Sequence, residues 1–379
     1  MTGFDNFVSL EEDLRNEKQD RIDAVRDRLG FGNTILDLSL KGIFKRDFIL
    51  VGSDSGHGKT ELAVNIARAN ARADKKVTLF ALEADPHEIG RRLLYPMLVD
   101  RFHRDTTRNK KNLKFLNYYD WLCLDLEEEL GQYEDEEKAK LAKEGPGFII
   151  RYRGSEEFTF KNFEREMAAV KESDLVIVDH FHYFDLDADS PQKEMSMHKQ
   201  LIKDIRNIVQ TYAVPIVLVA HLRKRDYREK QGSPVPSMDD FMGTSDLYKI
   251  PNKIILIARG PAFNPPISMS IEERGRLKNS WTTYFNIAKL RADGSRTRFL
   301  CRGIFDASAN QYMDRFTIGR INKGEWESLS SDDVPHWAKG HVMQDVTTVD
   351  SHKPEKKNKN PEPNLNKWGI NPYHSKEEL

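Results

Sequence analysis

The segment Gly52–Thr60, GSDSGHGKT, constrains the fold of this chain most, because it joins two segments with different patterns. Before it, residues 48–51 (FILV) form a continuous apolar run of the kind that a parallel sheet buries on both faces. After it, ELAVNIARANARA has the apolar spacing of a helix. A strand that leads through a glycine-containing loop into a helix directs backbone N–H groups and the positive end of the helix at an anion. The sequence therefore predicts a phosphate-binding loop.

This loop nearly matches the pattern GxxxxGK[ST] of nucleoside triphosphate sites, although Ser53 occupies the place of the first glycine and Gly52 lies one residue early. Lys59 is then expected to reach the β- and γ-phosphates of ATP, and the hydroxyl of Thr60 is expected to hold Mg²⁺. The residues predicted to bind ATP are Ser55, Gly56, His57, Gly58, Lys59, Thr60 and Glu61.

Short apolar runs recur along the chain, and helical patterns separate several of them. The runs after the first are residues 77–80, 148–150, 175–178, 215–219 and 254–257. This alternation predicts an α/β fold with a mostly parallel sheet. After Pro266, the strand-like segments 284–290 and 297–305 are separated by a turn cluster, and they predict an antiparallel hairpin at the edge of the sheet.

Three polar residues at the ends of apolar runs are candidates for the chemistry around the phosphates. Asp179 would hold Mg²⁺ through a water molecule, although a strand-ending turn residue is the alternative. Glu83 would orient or deprotonate the attacking water, because ligands of such folds bind at the carboxyl edge of the sheet. The alternative is a simple surface charge. His221 would contact the γ-phosphate, unless it is a structural histidine.

Taken together, these motifs resemble the RecA-like motor domain of DnaB-type replicative helicases over roughly residues 30–305. The segments that carry the resemblance are SDSGHGKTELAVNIA, TLFALEADPHEIGRRLL, LVIVDHFHYF, VPIVLVAHLRKR and IAKLRADGSRTRFL. The resemblance implies a RecA-like P-loop core that uses ATP and Mg²⁺, assembly into a homo-hexamer, and movement along single-stranded DNA in the 5′ to 3′ direction.

In that family a Lys-x-Arg pair before a glycine turn reaches into the ATP site of the neighbouring subunit. Here Lys289 and Arg291 precede the turn at residues 292–294, so the resemblance implies that Arg291 is an arginine finger and Lys289 its companion. The chain also departs from the family, which usually has Gln at position 221 and Tyr-Leu-Gln at positions 180–182. A histidine at position 221 would add a change of charge near neutral pH.

Two loops are candidates for contact with DNA. The first is basic, and the residues predicted to bind DNA there are Arg223, Lys224, Arg225 and Arg228; a solvated charge run is the alternative. The second, residues 237–245, resembles the central DNA-binding loop of the family and contains no basic residue, so Thr244 and Ser245 are its candidates. Contacts between Lys or Arg and phosphates release counterions, so binding is expected to weaken steeply with salt.

The chain is expected to have three parts. Residues 1–29 carry a narrow apolar stripe at helical spacing (Leu10, Leu14, Ile22, Val25, Leu29), which either packs on the core of the chain itself or docks on a neighbouring subunit as a linker helix. Residues 30–329 form the ATPase domain, with a solvated helical insertion at 101–146 whose role the sequence leaves open. Residues 330–379 are too polar to fold alone, and they are predicted to be a disordered tail that could recruit a primase, a loader or another replication protein.

Composition excludes several other classes of protein. The 59 Lys and Arg against 60 Asp and Glu exclude a histone-like basic protein. The two cysteines, Cys123 and Cys301, exclude a disulfide framework or a zinc ribbon. No apolar run reaches the ~20 residues that cross a bilayer, so no membrane association is predicted and the cytoplasm is the expected compartment, that of the host for a phage protein.

Two other functions are open to a RecA-like ATPase. One is an assembly switch of the kind found in circadian-clock ATPases, which would hydrolyse ATP without separating strands. The other is a recombinase-like filament that pairs homologous DNA. Unwinding of a fork distinguishes the helicase from both.

Overall fold

The computed structural model describes residues 10–108, 115–152, 158–169, 171–186, 188–223, 235–242, 245–267, 269–293 and 299–342. The helices are α1 (Leu10–Arg15), α2 (Glu17–Arg26), α3 (Thr34–Leu40), α4 (Lys59–Arg72), α5 (Glu88–Arg108), α6 (Tyr118–Leu122), α7 (Glu127–Leu130), α8 (Glu134–Glu144), α9 (Phe160–Ala169), α10 (Pro191–Tyr212), α11 (Asp246–Lys249) and α12 (Ile271–Arg276). The strands are β1 (Phe48–Ser53), β2 (Val77–Ala81), β3 (Phe148–Tyr152), β4 (Leu175–Asp179), β5 (Ile216–His221), β6 (Lys253–Ala262), β7 (Trp281–Leu290), β8 (Leu300–Asp306), β9 (Gln311–Asn322) and β10 (Glu325–Ser328).

These strands form one sheet in the order β10-β9-β8-β7-β6-β1-β5-β4-β2-β3. The six strands from β6 to β3 are parallel, which confirms the predicted α/β fold, and each predicted apolar run is one of them. Successive residues of a strand face opposite sides of a sheet. Ile49 and Val51 therefore pack on the side that carries α3 and α4, whereas Phe48 and Leu50 pack on the side that carries α9 and α10.

Local sequence explains where the long helix α10 begins. The hydroxyl of Ser190 accepts a hydrogen bond from the backbone N–H of Lys193, and Pro191 occupies the first helical position, where its missing N–H costs nothing. The apolar face of α10 then covers β4 and β5. This packing fixes the carboxyl ends of these strands, which carry site residues.

The predicted antiparallel hairpin is present as β7 and β8, but its predicted position at the edge of the sheet is wrong. β9 pairs with β8, and β10 pairs with β9. The β9–β10 turn has Lys323 at φ 50° and Gly324 at φ 86°, the left-handed conformations that a tight hairpin turn requires. The signal was therefore in the sequence, as a polar–glycine turn after an alternating strand.

The insertion at residues 101–146 is helical, as predicted, but it is more than a solvated elaboration. It begins inside α5 and continues through α6, α7 and α8. Trp121 and Leu130 are buried in a separate apolar cluster with Tyr95, and Ala309 from the β8–β9 turn joins them. The insertion therefore has its own small core beside the sheet.

The two chain ends of the described region differ from each other. At the amino end, Leu10, Leu14, Ile22 and Val25 are exposed on α1 and α2, so among the described residues only Leu29 of the predicted stripe is buried in the core. At the other end, residues 330–342 are folded, and Val334 and Ala338 are buried against the sheet. Folded structure therefore continues past the boundary predicted at Ser330, and the rest of the predicted tail lies outside the described residues. Among the described helices, none is long and apolar enough to cross a bilayer.

A buried ion pair ties the start of β1 to the start of β6. The ammonium of Lys253 donates to the carboxylate of Asp47 at 2.5 Å and to the carbonyl of Gly42 at 2.7 Å. The other carboxylate oxygen of Asp47 accepts from the amide of Asn252. Both charged side chains are at most 7% exposed. Their burial makes each dependent on the other, because a single buried charge has no solvent to compensate it.

Replacing Lys253 with Met is expected to lower the free energy of unfolding by about 3 kcal/mol, because it leaves the Asp47 carboxylate buried without its cation. Urea unfolding monitored by circular dichroism measures this change. The exposed Lys278→Met variant is the control and should stay within about 0.5 kcal/mol of the unmodified protein. Equal stability of the two variants would contradict the assignment.

Candidate active site

The phosphate-binding loop lies between β1, which ends at Ser53, and α4, which begins at Lys59. The first N–H groups of a helix have no acceptor within the helix, so α4 presents free donors to the space above the loop. Gly56 and Gly58 have φ values of 74° and 90°, in the left-handed region that favours glycine. A Cβ atom at position 58 would also lie 2.2 Å from the hydroxyl oxygen of Tyr312. Only glycine therefore fits at position 58.

Lys59 is buried, and its ammonium donates to the carbonyl oxygens of Ser53 and Asp54 at 3.0 and 3.1 Å. Burial lowers the pKa of Lys59, and the nearby carboxylates of Asp179 and Glu83 oppose that shift. These contacts hold the ammonium of Lys59 at the mouth of the loop. A phosphate oxygen is a stronger acceptor for an ammonium than a neutral carbonyl is.

Thr60 and Asp179 have the donor set that Mg²⁺ prefers, which is all oxygen. The hydroxyl of Thr60 hydrogen-bonds the carboxylate of Asp179, and burial raises the pKa of Asp179 to about 6. Oδ1 of Asp179 is buried and has no hydrogen-bond partner among the described residues. A buried carboxylate oxygen without a partner is costly unless a cation or water compensates it. These two residues therefore fit a magnesium site.

Glu83, His180 and His221 come together beside this pair. One carboxylate oxygen of Glu83 and one ring nitrogen of each histidine all lie within 4.8 Å of one another. The imidazole rings of His180 and His221 have centroids only 3.6 Å apart. Register explains the arrangement, because Ser53 at the start of the loop pairs with His221, and Ala81, two residues before Glu83, pairs with Asp179. The three candidates at strand ends, Glu83, Asp179 and His221, therefore lie at one edge of the sheet, and their catalytic roles stay predictions.

Burial changes what the histidines can do. It lowers the pKa of His221 to about 4, and the charge of Lys59 adds to this effect. It lowers the pKa of His180 further, with contributions from His221 and His182. The expected change of charge at His221 near neutral pH is therefore wrong, because a neutral ring is retained down to a pH of about 4.

A cavity of about 380 Å³ joins the loop to Glu83, Asp179 and His221. Its lining includes Ser55, Gly56, Gly58, Lys59, Thr60, Glu61, Glu83, Asp179 and His221, together with Arg92, Trp281, Phe305 and Asn310. His57 lies in the same loop, and its ring nitrogen accepts from the backbone N–H of Arg259 in β6. The loop residues predicted to bind ATP therefore surround one space, with the ring of His57 tying the loop to β6.

Glu61 has a different environment from the one predicted. Its carboxylate is buried, forms an ion pair with Arg92 and accepts a hydrogen bond from the amide of Asn310 at 2.8 Å. Arg92 also pairs with Glu88. Because the carboxylate is already bound, the group of Glu61 that remains for a phosphate is its backbone N–H in the first turn of α4.

Four further residues at this site were not predicted from the sequence: His180, Arg92, Asn310 and Tyr312. Arg92 and Asn310 fix Glu61, and the hydroxyl of Tyr312 donates to the carbonyl of Gly58 at 2.9 Å. Asn310 and Tyr312 come from the β8–β9 region, more than 200 residues after the loop. The position of His180 directly after Asp179 was a signal, but its role depends on neighbours from other strands.

Lys289 and Arg291 lie near the amino ends of the parallel strands, whereas the cavity lies at their carboxyl ends. Leu290 pairs with Lys253 at the start of β6, whereas Ser53 at the loop pairs with Ile257, four residues further along β6. This separation is about 13 Å along the strand. Arg291 is exposed. Lys289 donates to the carbonyls of Tyr248 and Lys249 at the end of α11, at 3.0 and 2.5 Å.

Of the residues predicted to bind DNA, the structure describes Arg223 and Ser245, whereas Lys224, Arg225, Arg228 and Thr244 lie outside the described residues. Arg223 is exposed, and its backbone N–H donates to the carbonyl of Asp240 in the second loop. Ser245 is exposed, and its hydroxyl accepts from the ammonium of Lys249 at 3.0 Å. Tertiary structure therefore brings the two loops together and adds a cation, Lys249, that the sequence of the second loop lacks.

Comparison with known proteins agrees with this geometry. The sequence matches the DnaB-like helicase C-terminal domain family over residues 29–301. The fold is similar to a structure described as a DnaB-like replicative helicase and its interactions with primase, with 16% identity, a TM-score of 0.59, and coverage of 82% of this chain and 67% of that chain. It is also similar to a second structure, described as an ATPase domain, with 15% identity, a TM-score of 0.57, and coverage of 82% of this chain and 99% of that chain. These two likenesses show the fold, and no curated protein matches the sequence.

Replacing Gly58 with Ala is expected to weaken nucleotide binding more than replacing Gly56 with Ala. Both positions have positive φ, and such strain costs about 1–3 kcal/mol, or roughly 5–150-fold in affinity. Only the residue at position 58 would also collide with Tyr312, whereas position 56 has open space. Titration with a fluorescent ATP analogue measures both variants. Equal affinities would contradict the close contact between the loop and Tyr312.

Proposed function

The chain belongs to the family of DnaB-like helicases, and we propose that it is a ring-forming DNA helicase that moves on single-stranded DNA by hydrolysing ATP at its subunit interfaces. One observation carries this proposal. The cavity gathers the groups proposed to bind and hydrolyse a triphosphate, while the predicted arginine finger lies at the opposite end of the parallel strands. A site built this way is completed by a second subunit.

Each residue of the cavity has a separate role in the proposed hydrolysis. Lys59 and the N–H groups of the loop bind the β- and γ-phosphates, and Thr60 with Asp179 would hold Mg²⁺, which neutralises phosphate charge. Glu83 orients the attacking water and accepts its proton. A bond forms between the water oxygen and the γ-phosphorus, the bond from that phosphorus to the bridging oxygen breaks, and the electron pair leaves with ADP. His221 contacts the γ-phosphate and senses its release.

Arg291 would neutralise the γ-phosphate held by the neighbouring subunit. An arginine finger contributes about 10³–10⁵ in rate, so a site without one is slow. The exposure of Arg291 and its distance from the loop of its own chain support action in trans. The family resemblance supports a hexamer. The exposed apolar residues of α1 and α2 support docking of residues 1–29 on the adjacent subunit.

Lys289 would couple the finger to DNA. It holds the carbonyls at the end of α11, and the ammonium of Lys249 in α11 donates to the hydroxyl of Ser245 in the second DNA loop. A movement of that loop would therefore be passed through α11 to the end of β7, which Arg291 directly follows. Arg223, Lys224, Arg225 and Arg228 would supply phosphate contacts from the first loop, and Thr244 and Ser245 from the second.

The proposal also includes 5′ to 3′ movement and action in the cytoplasm, that of the host for a phage protein. A primase, loader or other replication protein would bind the carboxyl-terminal residues beyond those described. These points rest on the family resemblance.

The full chain with MgATP is expected to separate a forked duplex that carries a 5′ single-stranded arm. Strand-displacement assays at rising salt measure the rate, which should fall steeply because phosphate contacts release counterions. ATPase activity that ignores DNA would favour an assembly switch instead. Pairing of homologous strands without unwinding would favour a recombinase-like filament.

Arg291→Ala and Lys59→Ala subunits, each inactive alone, are expected to recover part of the ATPase activity when mixed. A mixed interface can combine an intact loop from one subunit with an intact finger from the next. Steady-state ATPase measured across mixing ratios tests this expectation, with Arg274→Ala as a control for the loss of an arginine elsewhere. If no ratio restores hydrolysis, Arg291 does not act in trans.

A further inference from the structure

His180 has a donor that the proposed mechanism does not use. It directly follows Asp179 at the end of β4, and its side chain is fully buried. Its Nδ1 accepts a hydrogen bond from the backbone N–H of His182 at 3.4 Å, which caps the short helix at Phe181–Tyr183. In a neutral imidazole, a ring nitrogen that accepts leaves the proton on the other one. His180 therefore carries its proton on Nε2.

This Nε2–H is buried and has no hydrogen-bond partner among the described residues. An unpaired buried donor costs about 1–3 kcal/mol, so a partner is expected in the working state. The surroundings offer one place for it. A nitrogen of His180, a nitrogen of His221 and an oxygen of Glu83 lie within 4.8 Å of one another.

Three atoms with that separation can surround a single water molecule. At the limit of 4.8 Å, a point midway between the three atoms lies about 2.8 Å from each of them, which is a normal hydrogen-bond length. We infer that His180 is a positioning residue for the attacking water, to whose oxygen its Nε2–H donates while that water donates to the carboxylate of Glu83. This inference rests on the proposed hydrolysis of ATP and deepens it.

The hydrogen bonds of the water fit the reaction. The oxygen accepts one bond from His180 and gives one proton to Glu83, so a lone pair remains for attack on the γ-phosphorus. As the bond to phosphorus forms, the proton passes to Glu83 and the bridging electron pair leaves with ADP. His180 neither gains nor loses a proton, and its role is to fix the orientation of the water.

A metal ion bound by the same three residues fits less well. A metal on Nε2 of His180 would move the proton to Nδ1, which would then face the N–H donor of His182. Histidine ligands normally donate their second N–H to an acceptor. The positive charge of Lys59 also acts on both His180 and His221. The arrangement therefore favours a water molecule over a cation.

Two substitutions test the Nε2–H donor of His180 independently of the helix-capping role of its Nδ1. Asn at position 180 keeps an acceptor for the N–H of His182, as at a helix start, but has no donor where Nε2 lies. Gln at position 180 places its amide N–H near the position of Nε2. His180→Asn is expected to lower kcat about 10²-fold with KM for ATP unchanged, and His180→Gln to retain more activity.

The affinity for a transition-state analogue is a second measurement, and a purely structural role of His180 would not change it. His180→Asn should weaken binding of ADP with tetrafluoroaluminate relative to ADP with beryllium fluoride, because the former mimics the attacked phosphate. His198→Asn is the control, since it removes a ring that contacts His182 but is not one of the residues whose atoms converge with Glu83. Thermal unfolding of each variant confirms that it is folded.

Glu83→Gln separates this inference from the proposed function. If Glu83→Gln stops hydrolysis while His180→Asn keeps the full kcat, the water is held without His180 and only this inference fails. If both variants hydrolyse ATP at the original rate, the proposed active site fails with it. Stoichiometric Zn²⁺ binding to the nucleotide-free protein, detected by calorimetry and lost in His180→Asn, would overturn the inference in favour of a metal site.

Discussion

The parallel pairing of β1 with β5, and of β2 with β4, is the constraint on which the site depends. Parallel strands end at the same edge of a sheet, so the residues that follow their carboxyl ends are brought together. Ser53 is opposite His221, and Ala81 is opposite Asp179. A slip of one residue in either pair would turn every side chain of the moved strand to the other face. The apolar layers on both sides of the sheet hold this register, because every residue of β1, β2 and β4 is buried.

Burial then determines the chemistry of the groups at that edge. It leaves an oxygen of Asp179 without a partner among the described residues, which suits a magnesium ligand, and it keeps His180 and His221 neutral. A neutral imidazole beside a triphosphate can donate or accept one hydrogen bond without adding charge. Lys59 supplies the positive charge in the loop, and Arg92 is already neutralised by Glu61 and Glu88. In the proposed function, Arg291 of a neighbouring subunit supplies a further cation at the γ-phosphate.

The antiparallel half of the sheet positions the residue proposed for this role. β7 runs back from the cavity to the opposite edge, so the residues at its end face a different part of the surface from the loop of the same chain. One strand pair thus separates the phosphate loop from the proposed finger by four residues of β6, or about 13 Å. The contact of Lys289 with α11 links this end of β7 to the second of the loops proposed to hold DNA. In the proposed function, the same sheet therefore connects the nucleotide, the neighbouring subunit and the DNA.

The sequence by itself determined the strands of the parallel sheet, the phosphate loop, and the presence of Asp179, Glu83 and His221 at strand ends. Such features are local, since apolar runs, glycines and a terminal polar residue can be read within a dozen positions. The sequence did not predict β9, β10 or the folded segment at residues 330–342, and it led to the expectation that His221 titrates near neutral pH. Only the tertiary structure decided that Tyr312 fits over Gly58, that Asn310 and Arg92 bind Glu61, and that the Nε2–H of His180 has no partner among the described residues. These contacts join residues far apart in the chain, and the pKa of a histidine depends on how completely such neighbours exclude water from it.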